Sequence, residues 1–264
     1  MFEKAKERHK DGEFKILVAK VIDKYNYCQK TNKIAYTDFM NLSERSIIEK
    51  ILKEELIKNY IFFGVKENSD RSILIFYPEK FSKEIVEKNY SNMFDIIRID
   101  LPSGILYEHR EFLSGIMKLG LRREKFGDII VTESGADIIC LKEISKFLEN
   151  GLKELTRFKK SKIYIEDIQN IHKRETSFIE FIIIVSSIRL DNFVSELAKC
   201  SRTKAKEMIE QGLVLVNYII QDKESKKINV GDVITIRGKG KFIFDSLEGT
   251  TKSERNVINI KKYN

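Results

Sequence analysis

The clearest hydrophobic pattern of the chain lies between Arg189 and Phe242. Over two short stretches the apolar residues recur at helical spacing, which predicts two amphipathic helices that each bury one face. The predicted buried faces are Leu190, Phe193, Val194, Leu197 and Ala198 in the first helix, and Ala205, Met208 and Ile209 in the second. Ser201 is placed to cap the second helix, and Gly212 is placed to end it.

Behind these helices the pattern changes from helical spacing to alternation. Val214 and Val216 alternate around a more exposed position in a strand that ends at Asn217. The pair Gly231-Asp232 predicts a turn into a second strand, which runs from Val233 to Arg237. The segment is therefore predicted to be a small domain of two helices and a strand unit.

This domain carries cations on one exposed rim. Arg202 and Lys206 are four residues apart on one edge of the second helix, Lys204 lies on its other flank, and Lys239 and Lys241 follow the last strand. Such a rim suits backbone phosphates, because their neutralisation releases condensed counterions. Charge alone does not distinguish RNA from other polyanions, and a solvated charged helix is the alternative interpretation.

The same residues resemble the RNA-binding domain first seen in small-subunit ribosomal protein S-four, also called the alpha-L motif. The resemblance comprises Arg189-Leu190-Asp191, Ser201-Arg202, Ala205, Ile209, Gly212, Val214, Val216-Asn217 and Gly231-Asp232. Where family members usually have Gly after the Asn, this chain has Tyr218. The resemblance implies recognition of helical RNA by its shape. It places the RNA contacts on Arg189, Ser201, Arg202, Lys204 and Lys206.

The middle of the chain alternates between strand and helix patterns. The order strand, helix, strand, strand, helix, strand predicts an open sheet with helices on one face, as in ferredoxin-like and RNA-recognition folds. The predicted elements are strand 94–99, helix 108–119, strands 128–132 and 136–141, helix 142–151 and a strand at 161–165, with 178–185 as a further closing strand. The strand at 128–132 has no aromatic residue, so we do not expect this sheet to stack single-stranded bases.

The N-terminal region is predicted to be mainly helical. One apolar stripe is formed by Phe14, Leu17, Val18, Val21, Ile22 and Tyr25, and a second by Ile47, Ile48, Ile51, Leu52 and Leu56. Ser43 is expected to cap the second helix. A strand from Tyr60 to Val65 is expected to pair with Ser72–Tyr77 across the turn Asn68-Ser69-Asp70.

A second candidate contact lies in the middle region. Arg122, Arg123 and Lys125 occupy a short loop after a helix with a buried stripe, and such a loop can hold a phosphate backbone. A solvated turn is an equal alternative. His109 stands at the start of the helix without a carboxylate or nucleophile at a catalytic spacing, so a capping or packing role is expected for it.

Composition and charge agree with a polyanionic partner. The formal net charge is +8, and from Arg189 onward there are 15 basic and 10 acidic residues, so most of the excess lies with the predicted RNA-binding domain. Cys28, Cys140 and Cys200 have no zinc-site or disulfide spacing, and no metal site is expected. The charged N-terminal segment and the shortness of the apolar run 178–188 predict a cytoplasmic protein without a membrane span.

Over nearly its whole length the chain resembles the YlmH family of bacterial proteins. The most specific pieces are His109-Arg110-Glu111-Phe112, Arg123-Glu124-Lys125, Gly127-Asp128-Ile129 and the C-terminal domain, with Phe62-Phe63-Gly64 upstream. The family usually has a second Gly where this chain has Val65. The resemblance implies an α+β protein with a helical N-terminal region at 1–70, a ferredoxin-like RNA-binding domain at 71–186 and an alpha-L domain at 187–264.

The function that this resemblance implies is a non-catalytic, ribosome-associated role. Family members are linked to large ribosomal subunits that carry stranded peptidyl-tRNA, in the quality control of stalled chains. The expected partners are therefore rRNA, tRNA and the large ribosomal subunit, and we expect a monomer without catalytic residues, cofactors or metal.

An RNA-modifying enzyme is the alternative function, because alpha-L domains are often joined to such catalysts. A pseudouridine synthase would carry its catalytic Asp in a separate later domain, whereas Asp191 lies inside the first predicted helix. A methyltransferase needs a Gly-rich loop after a strand, and Gly238-Lys239-Gly240 is in the wrong context for that.

Overall fold

The computed structural model describes residues 12–65, 69–90, 93–172 and 178–263. The chain divides into two compact units, a first unit Met1–Arg174 and a second unit Glu175–Asn264. Each unit has a hydrophobic core of its own. Across the described residues, none of the helices has both the length and the apolar composition for crossing a bilayer.

The first unit contains five described helices and eight described strands. The helices are α1 Gly12–Thr31, α2 Leu42–Glu54, α3 Lys83–Tyr90, α4 His109–Met117 and α5 Lys142–Glu154. The strands are β1 Ala35–Tyr36, β2 Met40–Asn41, β3 Tyr60–Phe63, β4 Arg71–Phe76, β5 Phe94–Asp100, β6 Phe126–Thr132, β7 Gly135–Leu141 and β8 Lys162–Asp167. The mixed α+β class predicted from the sequence is confirmed.

The N-terminal part joins two helices to a small antiparallel sheet in which β4 pairs with β1, β2 and β3. The predicted stripe of α1 is confirmed, since Val18 and Val21 are buried and its other members pack against the same core. The predicted pairing of the two strands is also confirmed, with Tyr60 opposite Phe76 and Phe63 opposite Ile73. Of the predicted turn between them, Asn68 lies outside the described residues.

Two details of α2 correct the sequence interpretation. Ser43 does not cap the helix, because Asn41 does: its side chain accepts from the Glu44 N–H at 2.9 Å, and the Glu44 carboxylate accepts from the Asn41 N–H at 2.7 Å. Leu56 does not belong to the buried face. It follows the helix with φ +55° and is 81% exposed, because the helical spacing has already ended.

The middle of the first unit has the predicted ferredoxin-like topology. Its elements follow the order β5-α4-β6-β7-α5-β8, and the sheet order is β6-β7-β5-β8 with antiparallel neighbours throughout. Helices α4 and α5 cover one face, where Ile97, Phe112, Ile116 and Leu148 are completely buried.

The opposite face of this sheet packs against the N-terminal sheet. Phe39, Ile61, Ile73 and Ile75 form one core with residues of the middle sheet, and the ring of Phe63 stacks on Phe94 at a centroid distance of 5.5 Å. In an RNA-recognition fold this face stacks bases. In this chain the residues of the N-terminal sheet occupy the positions where those bases would lie.

The second unit contains helices α6 Leu190–Ala198 and α7 Arg202–Glu210. Its strands are β9 Phe178–Val185, β10 Val214–Val216, β11 Ile219–Ile220, β12 Val233–Ile236, β13 Gly240–Thr250 and β14 Asn256–Tyr263. They form one antiparallel sheet in the order β11-β10-β12-β13-β14-β9, and α6 and α7 pack on one face of it.

The position of β9 differs from the prediction. We expected this strand to close the middle sheet, but it pairs along its whole length with β14, from Phe178 opposite Tyr263 to Val185 opposite Asn256. The last strand offers β9 eight residues of antiparallel partner, and Ile183 and Val185 are buried in the second core. The predicted division of the chain into three domains remains a prediction.

Candidate nucleic-acid interface

The two helices of the second unit pack together in one core, and Arg202 at the start of α7 reaches Asp191 in the first turn of α6. Helix α6 ends at Lys199, which adopts a left-handed conformation (φ +54°) and reverses the chain. Ser201 then caps α7, with its hydroxyl accepting from the Lys204 N–H at 3.2 Å. The buried faces of both helices and the Ser201 cap agree with the sequence prediction.

A buried carboxylate joins the two helices. Asp191 is completely buried and accepts hydrogen bonds from Arg189 Nε at 3.1 Å and from Arg202 Nη2 at 2.7 Å. Burial alone would raise the pKa of Asp191, but the hydrogen bonds from Arg202 and Arg189 outweigh this effect and hold the pKa below its ordinary value. The carboxylate therefore stays charged and fixes both guanidinium groups at the rim.

Glu224 adds a second connection on the same rim. It lies 2.9 Å from Lys206 Nζ and 3.7 Å from Arg189 Nη2. The segment around it packs on the start of α6, where the Leu190 N–H donates to the Lys226 carbonyl and the Asp191 N–H to the Glu224 carbonyl. Sequence reasoning missed Asp191 and Glu224 as organising residues. An acid two positions after an Arg was the available signal for Asp191.

Lys204 is the most loosely held cation of this group. Among the residues that the structure describes, its ammonium pairs only with Glu207 on the next turn, at 2.8 Å, and both side chains are about half exposed. Arg189, Arg202 and Lys206 remain partly exposed as well, at 38, 55 and 41% of their side-chain area. Arg189, Arg202 and Lys206 thus meet around Asp191 and Glu224, whereas Ser201 lies at the start of α7 and Lys204 on its other flank. We call the five predicted contacts the helical rim (Arg189, Ser201, Arg202, Lys204 and Lys206).

Lys239 and Lys241 belong to a different part of the second unit. Lys239 is exposed in the turn before β13. Along β13, Phe242 and Phe244 are buried on the helix side, so strand alternation directs Lys241 to the other face. Lys241 Nζ there lies 4.8 Å from the ring centroid of Tyr218 and 4.4 Å from that of Tyr263.

Tyr218 keeps the hairpin geometry in spite of its side chain. Asn217 and Tyr218 have φ values of +49° and +67°, which is the left-handed pair that normally favours Gly at the second position. The Asn217 side chain bonds Asp232 at 2.8 Å and the Val233 N–H at 2.9 Å. These bonds hold the turn closed where family members have Gly.

The loop at 122–125 is engaged within the first unit. Arg123 donates to the carbonyls of Phe126 at 2.7 Å and Gly127 at 3.0 Å, and burial, aided by the neighbouring Arg71, lowers the pKa of Arg123 to about 10. Lys125 bonds Asp38 at 2.7 Å. This geometry favours a structural role for Arg123. Arg122 remains 68% exposed beside Glu124, and its RNA contact, like that of Lys125, stays a prediction.

The structure contains a further cluster of titratable side chains that the sequence did not predict. Asp137 is completely buried, lies 2.7 Å from Arg98 Nε, and its other oxygen lies 2.8 Å from His172 Nδ1. Burial would raise the pKa of Asp137, but the hydrogen bonds from Arg98 and His172 lower it below its ordinary value. The cluster ties β5 and β7 to the segment after β8. In the described parts of the chain, no group of three His, Cys, Asp or Glu side chains is arranged to hold a metal ion.

Comparison with known protein families gives one match within each unit. A family model described as "Putative RNA-binding domain in YlmH" matches residues 79–172, which contain the ferredoxin-like sheet, and a second model, the S4 domain, matches residues 188–234, which contain the helical rim. The chain is therefore similar to YlmH proteins in its first unit and to S4 domains in its second. The "Ribosome-associated protein quality control protein P2" of Bacillus subtilis is 27% identical to it over 232 residues, 86% of each chain.

A solved structure of a YlmH protein is also similar. The "Cell division protein ylmH from Streptococcus pneumoniae" is 19% identical, matches 62% of this chain and 98% of its own, and superposes with a TM-score of 0.47. The S4 match ends at residue 234, so β9, β13 and β14 extend the sheet beyond the matched part.

Proposed function

We propose that this chain is a non-catalytic RNA-binding factor of the translation machinery. It binds rRNA and tRNA on the large ribosomal subunit, acts in the quality control of stalled peptidyl-tRNA, and works as a monomer in the cytoplasm. The observation that carries the proposal is the helical rim, where the buried Asp191 fixes two guanidinium groups and Glu224 holds the Lys206 ammonium beside Arg189.

The chemistry of the rim suits structured RNA. Guanidinium groups held by a buried carboxylate lose little side-chain entropy when they meet a phosphate, and the remaining exposed area of each lets it do so. Shape recognition needs this kind of fixed spacing of cations, because base edges in an RNA helix are poorly accessible to side chains. The name of the Bacillus subtilis relative supports the ribosome as the particle.

The test replaces Arg202, Lys204 and Lys206 together by Gln in the full chain. Charge reversal is avoided, because a Glu at position 202 would face the buried Asp191. We expect the variant to lose cosedimentation with large ribosomal subunits. The slope of log affinity against log salt concentration should become smaller by about 3, one for each cation removed. A matched control replaces the exposed Lys30, Lys33 and Lys50 by Gln. Equal binding by both variants would reject the helical rim as the anchor.

The role in stalled translation has its own test. Wild-type protein should bind large subunits that carry peptidyl-tRNA more tightly than vacant subunits, since it contacts both RNAs. Equal affinity for the two particles contradicts the tRNA contact. Mass mapping of nucleosides in rRNA after incubation tests the non-catalytic assignment, and a stoichiometric new modification would overturn it in favour of an RNA-modifying enzyme.

A further inference from the structure

The first unit carries an exposed basic segment directly after α5. Arg157, Lys159, Lys160 and Lys162 fall within six positions, and the stretch 156–162 contains no acidic residue. All four side chains are exposed. Within the described residues, none of the four forms an ion pair with a carboxylate, whereas Arg122 and Lys125 of the other basic loop each have one. We call the four residues the basic segment.

The segment is held rigidly by what lies beneath it. Phe158 is buried and stacks on Phe112 at 5.9 Å with nearly parallel rings, and Tyr107 meets its ring edge-on at 6.0 Å. Arg157 Nη1 donates to the Glu111 carbonyl at 2.7 Å, and the Ser161 N–H donates to the Phe158 carbonyl at 2.8 Å. The cations are therefore presented on a fixed backbone, which lowers the entropic cost of binding.

A cleft of about 230 Å³ opens beside these cations. One wall is apolar and comes from the segment after β5, with Leu101, Pro102, Ile105 and Tyr107. The other wall contains Arg157, Lys159 and Lys160. These two walls match the two parts of a nucleotide. The apolar wall can contact the face of a sugar or base, and the cationic wall can bind the charged phosphate.

The other candidate surfaces of the first unit are engaged internally. The sheet face that stacks bases in RNA-recognition folds packs against the N-terminal sheet. The loop at 122–125 bonds its own unit through Arg123 and Lys125. The basic segment thus combines exposure and a fixed backbone with four cations that form no ion pair among the described residues.

We propose that the basic segment and its cleft form a second RNA site, distinct from the helical rim. The site takes the sugar–phosphate backbone of an RNA strand, with phosphates at Lys159, Lys160 and Lys162 and one sugar or base against Tyr107. The inference rests on the proposed function, because it assigns an additional contact to the same RNA-binding activity.

The experiment replaces Lys159 and Lys160 by Glu in the full chain and measures binding to naked large-subunit rRNA and to assembled large subunits. Each lost phosphate contact lowers the log–log salt slope by about 1, so the slope should fall by about 2 on both probes. The control carries Lys30→Glu and Lys33→Glu, which make the same change in net charge on exposed residues of α1 and the turn after it. Circular dichroism checks that both variants remain folded.

The outcomes separate this site from the proposed function. An unchanged slope in K159E/K160E, with loss in the Gln variant of the helical rim, overturns the second site alone. If neither variant loses RNA binding, the proposed function is overturned as well. If the Lys30/Lys33 control loses as much of the salt slope, binding depends on net charge rather than on this segment, and the second site is also overturned. Loss of subunit binding with unchanged affinity for naked rRNA points to an acidic protein partner, which again rejects the proposal.

Discussion

Asp191 and Asp128 show how opposite pKa shifts follow from the neighbours of each carboxylate. Asp191 lies against Arg189 and Arg202, and their hydrogen bonds outweigh the effect of burial, so its pKa is lowered. Within the described part of the chain, Asp128 accepts one hydrogen bond, from the Asp70 N–H at 3.1 Å, and the negative charge of Asp70 lies nearby. Burial and that charge raise the pKa of Asp128 to about 6, although Arg123 and Arg71 act in the other direction.

Replacing Asp191 by Asn should destabilise the second unit by about 1–3 kcal/mol at neutral pH, because the hydrogen bonds to a charged acceptor are lost. The folded pKa lies below the ordinary value of 3.8. The carboxylate therefore contributes stability above that value and loses it as the pH falls through the folded pKa. Urea unfolding should show a difference in unfolding free energy that is constant at higher pH and shrinks as the pH falls below the ordinary value of 3.8. The exposed Asp222→Asn is the control, and a difference that grows in acid would contradict the account.

Replacing Asp128 by Asn should act in the opposite direction. A raised folded pKa means that the wild-type contribution is present below the ordinary value of 3.8 and is lost as the pH rises through about 6. The Asn side chain can still accept from Asp70 without carrying charge. The variant should match wild type near pH 4 and be more stable by roughly 1–3 kcal/mol near pH 7. A pH-independent difference in unfolding free energy would refute this.

At the scale of elements, the sequence determined what each segment forms better than what it pairs with. The helical stripe of α1 and the strand–helix order of the middle region were read correctly, because periodicity reports which face is buried. It does not report the partner of a strand. The apolar run of β9 suits any sheet, and only the long antiparallel match with β14 places it in the second unit. Asn41 and Ser43 are both good caps, and Glu44 selects Asn41.

Helix α4 supports the basic segment where Gly115 lies close to the buried ring of Phe158. A Cβ built there would lie 2.6 Å from Cε2 of Phe158, whose ring is stacked on Phe112 and has little room to shift. Gly→Ala inside a helix ordinarily stabilises by up to about 1 kcal/mol. For Gly115→Ala we expect the reverse, a loss of about 1–2 kcal/mol from overpacking, with weaker rRNA binding as Phe158 and the basic segment move.

A comparison within the same unit tests the cause. Gly151→Ala in α5 would bring its Cβ to 2.9 Å from Cδ1 of Leu119, the end of a flexible side chain. This variant should therefore be less destabilised than Gly115→Ala in thermal or urea unfolding. If Gly151→Ala were the more destabilised of the two, the rigidity of the Phe112–Phe158 stack would not be the deciding factor.

For the whole molecule, the excess of positive charge predicts a polyanionic partner but not the surfaces that would bind it. The net charge of +8 includes cations such as Lys20 and Lys125, which bond Glu124 and Asp38 inside the first unit. Long-range ion pairs of this kind link residues about a hundred positions apart, so no local pattern predicts them. The helical rim was predictable because its residues are close in sequence, whereas the organising role of Glu224 depends on the tertiary fold.

The two proposed RNA surfaces, one on each unit, predict a binding behaviour that depends on the size of the RNA. A short RNA hairpin occupies one surface at a time, so wild-type protein should bind two hairpins. The Gln variant of the helical rim and K159E/K160E should each bind one. An intact large subunit engages both surfaces, and tethering makes the second contact effectively intramolecular. Either variant should then lose affinity for the subunit by at least about tenfold, mainly through faster dissociation.

Two measurements test this prediction. Titration with a labelled hairpin gives the number of hairpins bound per chain, and immobilised large subunits give the dissociation rate. The combined variant should bind neither probe, and Lys30→Glu with Lys33→Glu should behave as wild type on both. A single hairpin per wild-type chain, together with unchanged subunit dissociation in K159E/K160E, would mean that the second unit alone meets RNA. The exposed charge of the basic segment would then have to be explained by solvation rather than by binding.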